Sequence, residues 1–281
     1  MEGYGNSTVS LKLLAVVAEA STLAGCLNAA VAAAVGPGAP ATIKALHVIV
    51  DPAHLVTASE EVALQYLREA REGTAFERAA AARKMFDHWQ AQRPEGGPPV
   101  GWKEVTGAED EMVTREAWQA DLLIVAKPRN LDGHDALHAA IFRSGKLVLL
   151  APTDWNDRSN GLGDHMAIAW NDTPPCRRAV TAALPWIKAA RKVSILLIDE
   201  KEAVAAELIS LLRAEGISST LKSRARARGS LGDQIIDEAH AAGADALVMG
   251  AYRHNEVLEW LLGGTTRHAL RHADLPMLLA H

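Results

Sequence analysis

Cysteine is scarce in this 281-residue chain, and the two present, Cys26 and Cys176, stand far apart. Without paired spacing they suggest neither a zinc site nor a disulfide framework, a usage compatible with a reducing cytoplasm, and both read as small buried apolar residues. Aromatics are sparse too, at 5% against 49% hydrophobic residues overall. An interior built from Ala, Val and Leu fits an α/β protein better than an aromatic-rich β-sandwich. Positive charge is in no excess, since 29 Lys and Arg face 34 Asp and Glu for a formal net charge of −5. The chain thus exerts no general attraction on nucleic acid or on an anionic membrane, and any phosphate ligand needs a local site. No run approaches the ~20 apolar residues needed to cross a bilayer. Hydrolytic signatures are missing as well: there is no nucleophile elbow, no intact Walker sequence and no carboxylate pair with an evident target.

One segment imitates a leader. Leu23-Ala24-Gly25-Cys26 follows an apolar stretch, Leu13 to Ala18, as a bacterial lipoprotein cleavage box would. However, the first eleven residues contain no Lys or Arg and Glu19 interrupts the apolar region. The expectation is a core strand over Leu13–Ala18 and an unmodified helical Cys26 in a cytoplasmic protein.

What the chain does have is repetition, over a length sufficient for two domains with full cores. Ala120-Asp121-Leu122-Leu123-Ile124-Val125-Ala126 recurs as Ala244-Asp245-Ala246-Leu247-Val248-Met249-Gly250. Leu147 to Ala151 matches Leu275 to Ala280 with one residue of slack, and Leu14 to Ser21 can be laid on Met166 to Thr173. Within each copy short apolar runs alternate with amphipathic stretches, the pattern of βαβ units and a mainly parallel sheet. The strands are expected near Leu11–Ala18, Ile43–Val50, Val100–Val105, Leu122–Ala126 and Leu147–Leu150. In the second copy they are expected at His165–Trp170, Val193–Ile198, Ser219–Lys222, Ala246–Met249 and Met277–Ala280. Ser59 to Gln92 reads as a partly exposed helix or helix pair, and the turn-forming Thr153 to Gly163 as a linker.

Chemistry is suggested where the run Ala246–Met249 ends in Gly250 and a loop leads to Gly263-Gly264-Thr265-Thr266 at an apparent helix start. Backbone N–H groups and hydroxyls placed so can surround an anion. Alternatively, Gly250 simply ends a strand and the Gly/Thr group caps a helix. The segment resembles the C-terminal half of a universal stress protein domain, whose nucleotide signature reads Gly, two residues, Gly, nine residues, Gly, then small or hydroxylated residues. Gly250, Gly263, Gly264 and Thr265 fit it, while Arg253 stands at the second glycine. That arginine could pair with phosphate, yet its bulk sits where the pattern wants no side chain.

The resemblance covers Gly163–His281 strongly and Val9–Pro152 weakly. It implies an α/β fold of two flavodoxin-like, adenine nucleotide alpha hydrolase-like, five-stranded parallel-sheet domains, paired face to edge as an intramolecular pseudo-dimer. The expected division is a degenerate domain over 1–152, a linker over 153–163 and a domain with a partial nucleotide motif over 164–281. Edge strands Leu147–Leu150 and Met277–Ala280 are expected to pair with each other, which removes an unpaired edge; homodimerisation stays open. The implied ligand is ATP or AMP, with Mg²⁺ beside ATP. Asn171, Asp172, Thr173 and Asp199 would face adenine and ribose, and Gly250, Arg253, Gly263, Gly264, Thr265 and Thr266 the phosphates. Asp172 could meet Mg²⁺ or simply cap the following helix. In the first copy Ala126, Asp135 and Ala136 fall opposite Gly250, Gly264 and Thr265, so no phosphate site is expected there.

The implied function is a stress-response binding module without strong catalytic chemistry. The alternatives are a slow nucleotide hydrolase, or a ligand-free, partner-binding protein with decayed sites. His134/His138 and His268/His272 have helical i, i+4 spacing but no third ligand, so no metal site is expected. Arg224, Arg226 and Arg228 read as a solvated loop rather than a nucleic-acid stripe.

Overall fold

The structure, a computed structural model, describes residues 10–55, 59–129, 131–155, 161–251 and 275–281. Each expected apolar run becomes a strand: β1 Leu11–Val16, β2 Ala41–Ile49, β3 Val100–Thr106, β4 Leu122–Ala126, β5 Leu147–Ala151, β6 His165–Ala169, β7 Lys192–Ile198, β8 Ser219–Arg224, β9 Ala246–Gly250 and β10 Met277–Ala280. The strand order is β3-β2-β1-β4-β5-β10-β9-β6-β7-β8. The second half therefore repeats the winding of the first in mirror order. All neighbours pair in parallel except β5 and β10. Strands β4, β5, β6, β9 and β10 are buried along their whole length. Helices cover both their faces, which is why these runs show no alternation.

The two halves meet edge to edge rather than face to edge. At the seam Leu149 lies opposite Leu278, flanked by Leu150–Met277 and Val148–Leu279. Two residues matched by the repeat thus face each other, as an approximate two-fold axis through the pair requires. The antiparallel ladder satisfies backbone groups that a face-to-edge contact would leave unpaired. Leu149 and Leu278 are both fully buried, and each contributes roughly 1.5–3 kcal/mol by leaving water.

One correspondence needs correction. Leu122 pairs with Leu13, and its repeat equivalent Ala246 pairs with Met166, so Leu13 rather than Leu14 matches Met166. The slip matters because side chains alternate across a sheet. Leu13 and Met166 lie in one core layer, Leu14 and Ala167 in the other.

Helices α1 (Leu23–Val35), α3 (Ala75–Ala91), α6 (Pro174–Ala189) and α7 (Ala206–Ala214) supply buried residues on one face of the sheet. On the other face lie α4 (Glu109–Ala117), α5 (Leu131–Phe142) and α8 (Leu231–Ala242). Alanines at 29, 30, 32 and 33 favour helix and let α1 lie close to the sheet. The Trp186 indole donates to the Ala33 carbonyl at 2.8 Å, joining α6 to α1 across the seam. Each core layer therefore runs through both halves.

The region from Ser59 resolves into α2 (Ser59–Glu72) and α3. Gly73, at φ +86°, adopts the left-handed conformation that stops α2. Thr74 then starts α3 with a capping box: its hydroxyl accepts from the Glu77 N–H at 3.2 Å, and the Glu77 carboxylate accepts from the Thr74 N–H at 2.8 Å.

The leader-like segment is structural. Strand β1 lies inside the sheet, and Gly25 is small because a Cβ there would sit 2.3 Å from the Thr153 carbonyl oxygen. Cys26 is fully buried in α1, and burial pushes its thiol up to about 12. Its Sγ donates to the Val16 carbonyl at 3.5 Å, while Cys176 Sγ in α6 donates to the Ala169 carbonyl at 3.7 Å. Val16 and Ala169 are repeat equivalents by strand register, so the two cysteines are too. Among the described residues no helix is long and apolar enough to cross a membrane.

Candidate functional site

In a doubly wound sheet the loops part where the strand order reverses, opening a crevice at the carboxyl ends of the strands. In the second half that point lies between β6 and β9, and the strand ends there are Trp170-Asn171, Ile198-Asp199 and Gly250-Ala251. Among the described residues Asp172 (φ +51°) and Asp199 (φ +57°) alone combine a side chain with positive φ. Aspartate tolerates this conformation because its short polar side chain bonds locally, at a cost of order 1–3 kcal/mol. Both follow the carboxyl ends of β6 and β7.

The polar contacts tie the loop after β6 to itself and to α6. Asn171 Oδ1 accepts from the Thr173 hydroxyl at 2.7 Å and from Cys176 Sγ at 2.9 Å. Asp172 does not cap the helix: it pairs with Arg177 at 2.6 Å, and Arg177 also reaches Glu207 at 2.7 Å. The Glu207 hydrogen bond is the main influence holding the Arg177 guanidinium above its ordinary value. The N-cap is Thr173, without a side-chain cap bond, and Pro174-Pro175 follow it. Two prolines remove two N–H groups from the first turn, so α6 offers a depleted anion-binding end. Asp199 is exposed and donates its backbone N–H to the Arg224 carbonyl at 2.8 Å.

Gly250 has a local explanation. A Cβ there would meet the Cys176 nitrogen at 2.6 Å and Sγ at 2.9 Å, so the missing side chain admits the start of α6. Beside it lies a space of about 110 Å³, lined in part by Ala169, Trp170, Asn171, Cys176, Met249 and Gly250. Trp170 is buried and its indole donates to the Val204 carbonyl at 3.0 Å, fixing one wall. Sequence reasoning placed Trp170 at the strand end but read Cys176 only as a small buried residue, missing its contact with Asn171. The available signal was that one cysteine follows the first strand of each repeat, Cys26 after Val16 and Cys176 after Ala169.

The structure thus brings Asn171, Asp172, Thr173, Asp199 and Gly250 to one end of the sheet. Arg253, Gly263, Gly264, Thr265, Thr266, His268 and His272 lie outside the described residues. His138 packs against Phe142 with ring centroids 5.0 Å apart. Among the described residues no three His, Cys, Asp or Glu side chains converge as metal ligands. The arginine run folds onto its own surroundings: Arg224 pairs with Glu238 at 3.2 Å, and Arg226 donates to the Gly229 carbonyl at 2.9 Å.

Residues 174–281 match the model of the universal stress protein family. These residues form a universal stress protein domain. Across nearly the whole chain the fold is similar to the crystal structure of a universal stress protein from Archaeoglobus fulgidus DSM 4304, with a TM-score of 0.58, 15% identity, and coverage of 96% of this chain and 95% of that one. At that identity the likeness shows the fold: mixed α/β on a large, mostly parallel sheet. A functionally unknown protein from Pseudomonas aeruginosa PAO1 is similar over 96% of this chain and 92% of its own, at 13% identity and a TM-score of 0.45. No curated protein matches the chain.

Proposed function

We propose that the chain is a tandem universal stress protein of the cytoplasm, divided as 1–152, a linker over 153–163, and 164–281. It acts as a stress-response binding module, not a strong catalyst, and its C-terminal domain binds one adenine nucleotide, AMP or ATP with Mg²⁺. One observation carries this reading: the carboxyl ends of β7 and β9, inside the family match, lie with that of β6, just before it, where the strand order reverses, and strained aspartates follow β6 and β7. Asn171, Asp172, Thr173 and Asp199 would meet adenine and ribose, and Gly250, Arg253, Gly263, Gly264, Thr265 and Thr266 the phosphates. The net charge of −5 argues against nucleic acid or an anionic membrane as partner. The β5–β10 pairing joins the two halves within the chain, and homodimerisation stays open.

A second reading, a ligand-free partner-binding protein, draws on Gly250. Its missing side chain serves the packing of α6, and the two prolines deplete the nearest helix end. Calorimetric titration with AMP and Mg²⁺-ATP decides between the two. The expected result is one site per chain, weakened at least tenfold by Gly264→Asp and unaffected by Asp135→Ala. Loss of one charge-assisted phosphate hydrogen bond costs roughly 1.5–3 kcal/mol, about ten- to a hundredfold in affinity. Two equal sites would refute the asymmetry. No heat with either nucleotide would favour the ligand-free reading, and turnover of ATP lost in Gly264→Asp would point to the slow hydrolase.

A further inference from the structure

The first half holds a larger cavity, about 400 Å³, over the carboxyl ends of β1 and β2. It is roofed by α2 and α3, where the corresponding crossover of the second half, between β7 and β8, has only the nine-residue α7 and a short preceding turn. The cavity therefore belongs to this half alone and does not depend on the glycine motif of the other.

Its wall is charged, and the charges are unevenly used. Asp132, buried, accepts from Gln65 Nε2 at 3.0 Å and from Arg68. Arg68 also reaches Glu72 at 2.6 Å, which occupies that arginine with two carboxylates. Glu77 accepts from the N–H and hydroxyl of Thr74, and Glu19 from the Arg129 N–H at 2.8 Å and the Ser21 hydroxyl at 3.1 Å. Every carboxylate on the wall thus has a protein donor. Arg78 is the exception among the charged groups. Half-buried, it gives Nη1 to the Gly73 carbonyl at 2.6 Å and pairs with no described carboxylate. Burial, and then the charge of Arg68, pushes its guanidinium below the ordinary value despite Asp132, Glu72 and Glu69. Nearby, His47 lies stacked on Trp102 with ring centroids 5.8 Å apart. Burial pushes its imidazole below the ordinary value, and its Nδ1–H donates to the Val17 carbonyl at 2.7 Å.

We propose that this cavity is a second binding site, for a small organic anion whose carboxylate or phosphate group pairs with Arg78. A guanidinium takes either group through two parallel hydrogen bonds. The volume lies within the range of small-molecule pockets, roughly 300–1,000 Å³.

The test uses the full chain in titrations with succinate and citrate for carboxylates, glycerol 3-phosphate for monophosphates, and AMP as the control for the other half. At least one of the first three probes is expected to bind once per chain at millimolar concentration or below. Arg78→Gln should weaken it at least tenfold, and so should Ala81→Trp, which places a large side chain over the cavity from an exposed position on its rim. Gly264→Asp should leave it unchanged, while AMP bound in the second half should respond in the opposite way. Circular dichroism checks that each variant is folded; were Arg78→Gln to unfold, Ala81→Trp alone carries the decision. Failure of all three probes to bind, or binding that survives in the folded variants, overturns the proposal.

Discussion

The two places where the strand order reverses share their topology and differ in what surrounds them. Beside the first of them, over the carboxyl ends of β1 and β2, is a cavity of about 400 Å³ lined by ion-paired side chains; beside the second, the space is about 110 Å³ and one wall is an indole. All three buried Asp, Glu or Arg side chains among the described residues, Arg68, Glu109 and Asp132, belong to the first half. The difference follows from the crossover between the second and third strands. Two helices of 14 and 17 residues reach over the first crevice, whereas the corresponding α7 has nine. A repeated fold thus keeps its sheet while one crossover changes what each crevice can hold.

The largest expected effect comes from the ion pairs. Replacing Arg68 by Met strands Asp132, whose side chain is only 5% exposed, and should cost about 3–5 kcal/mol in urea unfolding. The same change at Arg177, whose partner Asp172 is about one-third exposed, should leave the unfolding midpoint where it is. Equal losses would break the contrast between the two crevices.

Glu109 sharpens it next. Its carboxylate is buried without a hydrogen-bond partner, and burial first, then the charges of Asp132 and Asp135, raise it well above the ordinary range. The folded protein therefore holds a proton that the unfolded chain releases as pH rises past the usual carboxylate value, so wild-type stability falls in that direction. Glu109→Gln should be more stable than wild type at neutral pH. The gap should widen by up to about 1.4 kcal/mol per pH unit until the folded carboxylate ionises, and close on acidification. A gap independent of pH would mean that Glu109 is ionised in the fold.

Smaller effects are expected at the paired glycine and alanine. Gly250→Ala drives a methyl into the backbone of α6 and should destabilise by about 1–3 kcal/mol. Its reverse in the first half, Ala126→Gly, should cost only about 0.5–1 kcal/mol through backbone freedom. Comparable values would show that α1 and α6 approach the sheet equally closely. Last, Cys26 should resist alkylation at mildly alkaline pH until the protein unfolds, since burial holds its thiol up to about 12. Intact-mass measurement on protein from its own host should also find Cys26 unmodified within a longer chain; an acylated chain beginning at Cys26 would overturn its assignment to a core helix.

Much of the sheet could be read directly from residues. Apolar runs such as Leu122–Ala126 and Ala246–Gly250 declare strands buried on both faces, and their recurrence declares a repeated unit, because two-sided burial leaves little choice of residue type. The match of Leu149 with Leu278 even locates the seam. The register of β1 against β6 was not legible, since Leu14 and Leu13 are equally apolar and only pairing with β4 and β9 shows which faces which layer. Nor was the cluster over the first crevice. Gln65, Arg68 and Asp132 are up to 67 residues apart in the chain, and on α2 an arginine of this kind looks the same whether solvated or buried. Local composition and periodicity thus determined the elements, the repeat and the strands that pair at its axis. Tertiary structure alone decided that Gly250 makes room for α6 and that Arg78 lines a cavity while forming an ion pair with no described carboxylate, because both depend on distances between segments remote in sequence.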